Sequence, residues 1–322
     1  MEKALHAVDH SVVFHNRNHT GKLALTGQDT VDLLNRISTN SISNANQSDD
    51  TIFLDNKGRF IDYCKVLYNQ DMLLLLTQAS STAHLIDWID KYVFIEDVHV
   101  NDVTGQYCLY LILGPDSRDF LSETGLSPAA NTNEMTLFEL AGIKCWMIPD
   151  REFSSGGSDA YNLLAEKKHS EVLETAIARF VKKKGGMLLN ERAYETVRIR
   201  QRVPLYGSEI TSDFNPLEAG LEHAIDFHKG CYIGQEVVAR LDSMKRVKRH
   251  LAQIKLSGEK PERLPVDIYH KNEVIGIITS VDEESEQDTA YGLGYVKNKF
   301  LPGSNSDITV SIDRKKNQAL IV

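Results

Sequence analysis

Apolar positions change rhythm twice along the chain, and the changes predict where its elements lie. Leu23 and Leu25 alternate with polar residues, as in a half-buried strand, and then a glycine breaks the run. The segment Gly27-Gln28-Asp29-Thr30-Val31-Asp32-Leu33-Leu34 follows, with Val31, Leu34 and Ile37 at helical spacing. The same spelling returns after the apolar run 108–113, as Gly114-Pro115-Asp116-Ser117-Arg118-Asp119-Phe120-Leu121. Both junctions read G-x-D-x-x-D-[LF]-L. A second pair keeps the same order: Thr51-Ile52-Phe53-Leu54-Asp55 leads into 61–66, and Thr136-Leu137-Phe138-Glu139-Leu140 leads into 143–148. The period is too long for a solenoid and predicts two related α+β lobes, each a small sheet with helices on one side. Thr26 and Asp29 stand at capping-box spacing, and Pro115 suits a first helical turn, where a missing N–H costs nothing.

Residues 38–50, rich in Ser, Asn and Asp, read as a loop. Residues 80–92 and 170–184 read as amphipathic helices, the second ended by Gly185. Asn190 caps a further helix to about Gln201, which Val203-Pro204 stops. From Lys248 the pattern shifts to short strands at 251–256, 266–269, 274–280, 290–296 and 308–312, separated by turns at 271–272 and 282–288. That predicts a small β-barrel or sandwich. The predicted division is a first lobe at 1–105, a second at 106–247 and the β-rich unit at 248–322.

Composition narrows the function classes. At 322 residues the chain is too long for one core, which agrees with three units. A net charge of −9 argues against a direct nucleic-acid partner. No apolar run approaches the roughly 20 residues that cross a bilayer, so no membrane partner is expected. The N-terminal MEKALHAVDH has neither a signal core nor transit-peptide composition, which predicts a cytoplasmic protein. Cys64, Cys108, Cys145 and Cys231 form no C-x-x-C pair, which disfavours zinc ribbons and thioredoxin-type sites. His6/His10 and His15/His19 lack completing ligands, so no resident metal is expected. There is no P-loop, and Gly292-Leu293-Gly294 lacks a third glycine.

The sharpest local signal is Lys229-Gly230-Cys231-Tyr232-Ile233-Gly234-Gln235-Glu236-Val237-Val238-Ala239-Arg240. Two glycines bracket a Cys-Tyr-Ile stretch ahead of a helical run. A helix N-terminus and Lys229 near the sulfur would favour thiolate over thiol. The same residues equally suit a small buried side chain in a tight loop. Cys64, Cys108 and Cys145 lie in apolar runs and read as core. Lys245, Arg246, Lys248, Arg249 and His250 make a basic patch, suited to a polyanionic tail or simply to solvent.

The twelve residues from Lys229 to Arg240 resemble the K-G-C-Y-x-G-Q-E-x-x-A-R signature of the YgfZ-type folate-binding proteins, relatives of the glycine cleavage T-protein. Weaker likenesses accompany it in order: Leu25-Thr26-Gly27-Gln28-Asp29, Leu54-Asp55-Asn56-Lys57-Gly58-Arg59, Asn215-Pro216-Leu217-Glu218-Ala219-Gly220-Leu221 and Gly292-Leu293-Gly294-Tyr295-Val296. The resemblance implies an α+β protein, two related lobes and a barrel in a three-domain ring around a central folate pocket. It implies tetrahydrofolate or another folate as ligand. It leaves two activities: support of iron–sulfur protein maturation or repair, and through it tRNA modification, or folate-dependent aminomethyl transfer. Two departures favour the first. Where T-proteins carry a pterin-binding acid in R-L-E-A-G, this chain has Arg198-Ile199-Arg200-Gln201-Arg202, and Arg200 has only donors. Where they carry paired acids, it keeps only Asp62. In that reading Cys231 is the key thiol, Asp62 a second catalytic candidate, and Lys229, Gly230, Tyr232, Gly234, Gln235 and Glu236 shape the thiol's loop. Arg198, Arg200 or Lys245 would meet the folate's glutamate tail. A transient iron–sulfur cluster and iron–sulfur client proteins complete the expectation.

Overall fold

The computed structural model describes residues 2–43, 46–69, 73–126, 133–153, 159–282, 289–301, 308–312 and 315–322. The first sheet has five strands in the order Gln47–Leu54, Phe60–Tyr68, Leu73–Thr77, Gly21–Thr26, His99–Asp102. Helices Thr30–Ile37 and Thr82–Asp90 cover one face and bury Leu33, Leu34, Leu85 and Trp88 with Cys64 and Val66. The second sheet has six: Thr136–Leu140, Ile143–Pro149, Asp159–Glu166, Tyr107–Gly114, Val13–Asn16, Met187–Leu189. Helices Ser117–Glu123 and Ser170–Lys183 cover its outer face.

The two lobes share one plan: strand, helix, hairpin, strand, helix, strand. The repeated glycines show why the sequence repeats. Gly27 and Gly114 have φ of +116° and +124°, and a Cβ there would lie 1.9 Å from the Asp97 carbonyl oxygen and 2.4 Å from that of Ser11. The Asp29 amide donates to Asp97 O and the Asp116 amide to Ser11 O. The glycine lets a neighbouring chain pass and the amide two residues on catches it. The capping box expected at Thr26 and Asp29 is absent; the Asp29 carboxylate instead accepts from the Asp97 amide at 2.8 Å.

The crossing chain differs between the lobes. In the first it leads into His99–Asp102, from the lobe's own end. In the second it leads into Val13–Asn16, from the N-terminus, which pairs with Tyr107–Gly114 and with Met187–Leu189 outside it. Helix Glu2–His10 packs there too, Ala4, Ala7 and Val8 meeting Leu111, Leu113 and Val197. The N-terminal residues that the 1–105 boundary gives to the first lobe thus lie in the second lobe's sheet. The expected loop at 38–50 is also shorter, because the strand Gln47–Leu54 begins inside it.

The inner faces of the sheets meet across Leu67, Leu74 and Leu76 on one side and Leu109, Ile148 and Leu164 on the other. The β-rich unit is a closed six-stranded barrel: Arg249–Ser257, Thr289–Lys297, Glu273–Val281, Val266–His270, Ile308–Ile312, Lys315–Ile321. Five of these strands match the sequence expectation. The sixth, with its polar Lys-Lys-Asn-Gln start, closes the barrel onto the first. Of the turn expected at 282–288, residues 283–288 lie outside the described residues. Gly294 admits close strand contact, since a Cβ would stand 2.0 Å from Ile277 O. Segment 203–247 joins the units: Phe214, Leu217, Tyr232 and Val238 pack with Ile52, Leu54 and Phe60 of the first lobe and Tyr295 of the barrel. Among the described residues no helix is long and apolar enough to cross a membrane.

Candidate functional site

The strand Phe60–Tyr68 alternates in burial from Phe60 to Val66. Asp62, Cys64 and Val66 point to the helix-covered core. Tyr63 and Lys65 line a cavity between the two sheets, which Cys64 also borders. Asp62 is fully buried and accepts from the Thr77 and Ser81 hydroxyls and from the Tyr63 amide. Burial raises its pKa to about 6 although these donors lower it. It fastens its strand to the start of helix Thr82–Asp90 and is not among the residues lining the cavity. Its bonding partner Thr77 does line the cavity.

The cavity has a volume of about 50 Å³ and is lined by charged groups of both lobes. Lys65 Nζ donates to Asp50 Oδ1 at 2.6 Å. His223 Nε2 lies 3.7 Å from Asp50 Oδ2 and 3.3 Å from the Tyr63 hydroxyl. Across the cavity, Arg17 donates to Asp150 at 3.3 Å and to Asn162 at 3.1 Å, and Asn162 donates to Asp150 at 2.7 Å. Glu152 is the odd carboxyl. Among the described residues its buried Oε1 has no hydrogen-bond partner. Burial, then the Asp150 and Asp50 charges, push its pKa up to about 8. It therefore holds its proton at neutral pH and offers a donor and an acceptor. Burial also lowers the His223 pKa, which favours the neutral ring. Space of this size takes a few waters; a bicyclic ring would need the lining side chains to part. Sequence reading missed this cluster. Its one signal was charge at strand positions, as in Cys64-Lys65-Val66, where an apolar side chain is expected.

The thiol segment sits on the first lobe, not the second, where the 106–247 boundary puts it. Lys229 Nζ donates to Asn35 Oδ1, Ser38 O and Asn40 O, at 3.2, 3.1 and 2.6 Å. Burial lowers its pKa to about 8. It is thus an anchor for the 35–40 loop. Tyr232 is buried, and the Ile233 amide donates to Arg36 O. Gly234 has φ +83°, and a Cβ there would stand 2.7 Å from Asp55 O. A Cβ at Gly230 would meet nothing within 4 Å. Gln235 opens the helix Gln235–Ser243, and Glu236 is exposed in its first turn. Cys231 is exposed, and Cys64, Cys108 and Cys145 are buried. Cys231 is not among the residues lining the inter-sheet cavity, and the turn at Ile233-Gly234 separates it from the helix start.

The basic residues expected at a folate tail have these surroundings. Arg198 is 1% exposed and uses all five donors: on both Glu195 oxygens, Val203 O, Glu209 Oε2 and Ser280 Oγ. It locks helix Glu191–Arg200 to the barrel. Arg200 stacks on Tyr291 and lies 3.7 Å from the buried Asp282 carboxylate. Arg198 is spent within the protein, whereas among the described residues Arg200 Nε has no hydrogen-bond partner. Lys245 is exposed, in a left-handed conformation (φ 47°) past the end of helix Gln235–Ser243. Among the described residues no three His, Cys, Asp or Glu side chains group as a metal site.

Comparison with known proteins places this architecture. The chain is 27% identical over 317 residues to a putative chloroplastic transferase of Arabidopsis thaliana, covering 97% of this chain and 71% of that one. It is 26% identical over 311 residues to an aminomethyltransferase of Caldanaerobacter subterraneus subsp. tengcongensis, covering 95% and 82%. The crystal structure of the glycine cleavage system aminomethyltransferase T from Bartonella henselae superposes with a TM-score of 0.78 at 17% identity, over 99% of this chain and 87% of that one. The fold is therefore that of the T-protein: two α/β lobes and a barrel. The model of the GCVT N-terminal domain family matches residues 1–229, most of the chain, and the protein belongs to that family.

Proposed function

We propose that this protein binds a reduced folate between its lobes and uses the Cys231 thiol to support maturation or repair of iron–sulfur proteins, and through them tRNA modification. The observation that carries the reading is the exposure of Cys231 on a loop pinned by Lys229 and Gly234, while the other three thiols are buried. A surface thiol reaches a macromolecular client; a thiol inside a substrate cavity would not. One thiolate supplies a single ligand to a cluster in transit, and the client supplies the rest. Folate as ligand draws on the family and on relatives named aminomethyltransferases. The protonated Glu152, facing a cavity both lobes share, offers a donor and an acceptor to a heterocycle once the lining side chains part.

Aminomethyl transfer is the second reading, favoured by the names of the relatives. Against it stand the two carboxylate positions of the T-protein pattern: Arg200 is committed to Tyr291 and Asp282, and Asp62 is buried under Thr77 and Ser81. Calorimetric titration with a reduced folate, followed by incubation with an aminomethyl donor, separates the readings. The proposal expects saturable binding without folate turnover. Turnover would install the transferase reading, and no binding would remove folate from the account.

A further inference from the structure

Residues 94 and 95 present two large apolar side chains to solvent at the edge of the first lobe. Phe94 is 81% exposed and Ile95 is 97% exposed. Adjacent exposed residues of this kind mark contact sites more often than scattered single ones do. The turn that carries them is built. Glu96 Oε2 accepts from the Phe94 amide at 2.8 Å and the Ile95 amide at 3.1 Å, and Glu96 Oε1 accepts from Arg36 at 2.9 Å. These bonds hold the Glu96 carboxylate well below its ordinary pKa, at about 2. The same Arg36 accepts from the Ile233 amide through its carbonyl, and Ile233 packs on the core that Val93 also covers. Cys231 is two residues from Ile233, within about 7 Å along the chain. One arginine thus joins the apolar turn to the thiol loop.

We infer that Phe94 and Ile95 are a docking knob, by which a protein client with an apolar socket inside a basic rim is held beside Cys231. This rests on the reading of Cys231 as a thiol that acts on macromolecules. The rim fixes the partner's charge. Asp32 and Glu96 pair with Arg36, Asp29 accepts from the Asp97 amide, and the Asp90 carbonyl accepts from the Val93 amide, so five acids border the turn against Arg36, Lys91 and His99. A second copy would set this acidic rim against itself, and two side chains are far less than the roughly 800 Å² per partner that a stable interface buries. An anionic bilayer would be repelled likewise. A transient client with a basic rim is what remains, steered by charge and gripped by the two side chains.

The test places photo-reactive benzoylphenylalanine at position 94 of the full chain in cells, with position 137, a half-exposed residue of the second lobe, as control. The expected result is an adduct with an iron–sulfur protein at 94 and not at 137, its yield lowered about threefold by Asp90→Lys. No adduct above the control, an adduct with a second copy, or wild-type flotation with phosphatidylserine vesicles that Phe94→Ser/Ile95→Ser abolishes would each overturn the proposal. The double variant should also melt like wild type, bind folate as wild type does, and lose rescue of a deficient strain about tenfold. Full rescue by the double variant, with none by Cys231→Ala, would sink the knob and leave the thiol reading standing. Full rescue by Cys231→Ala would sink the thiol reading, and the adduct at 94 would still decide the knob.

Discussion

The Cα of Gly234 lies so close to Asp55 that a Cβ would stand 2.7 Å from its carbonyl oxygen. The contact seats the thiol loop on the hairpin turn of the first lobe, where Gly58 (φ +69°) faces Val237 in return. Gly234→Ala therefore adds a backbone clash to an unfavourable φ. It should cost about 2–4 kcal/mol in urea denaturation. Gly230→Ala, with open space around it, should stay within about 0.5 kcal/mol of wild type. Equal effects would mean that the two glycines do not differ as the packing requires.

Arg198 separates a structural role from a ligand role. Removing it leaves the buried Glu209 without its cation, so Arg198→Ala should cost about 3–5 kcal/mol. Denaturation would show that loss. A variant of wild-type stability with weakened folate binding would instead return Arg198 to a ligand site.

Glu152 carries a pH signature. Its folded pKa, about 8, is above the unfolded value of 4.5, so between these values the folded state holds a proton that the unfolded state has released. Stability falls as pH rises through this window. Glu152→Gln keeps the shape without the ionisation. Relative to the variant, wild type should lose about 3–4 kcal/mol between pH 5 and pH 8. Parallel stability curves for the two proteins would contradict the buried, protonated carboxyl.

Thiol accessibility is open to direct counting. In the native protein a maleimide should label one cysteine rapidly and all four only in denaturant, and Cys231→Ala should abolish the rapid phase. A rapid phase that survives the substitution would place an accessible thiol elsewhere.

Much of this fold was legible because its signals are local. The G-x-D junctions, the helix capped by Asn190 and the five barrel strands each carry their own pattern. The N-terminal strand in the second sheet was not legible, since pairing between Val13–Asn16 and Met187–Leu189 leaves no trace in either segment alone. The cavity is not legible for the same reason: Arg17, Asp50, Lys65 and Glu152 come from distant segments, as does His223 beside Asp50. The burial of Asp62 has a local signal in the sequence. Cys64 was read as core, and two residues along a strand is the same face, so Asp62 had to share it. Cys231 stood out by motif, but its exposure depends on where Lys229 and Gly234 seat the loop.

The central claim is that the surface thiol of Cys231 does the work. Rescue of iron–sulfur enzyme activity in a deficient strain by wild type and by Cys231→Ala, with both proteins accumulating equally and binding folate equally, tests it most directly. The account predicts rescue by wild type and none by the variant. Full rescue by the variant would contradict it.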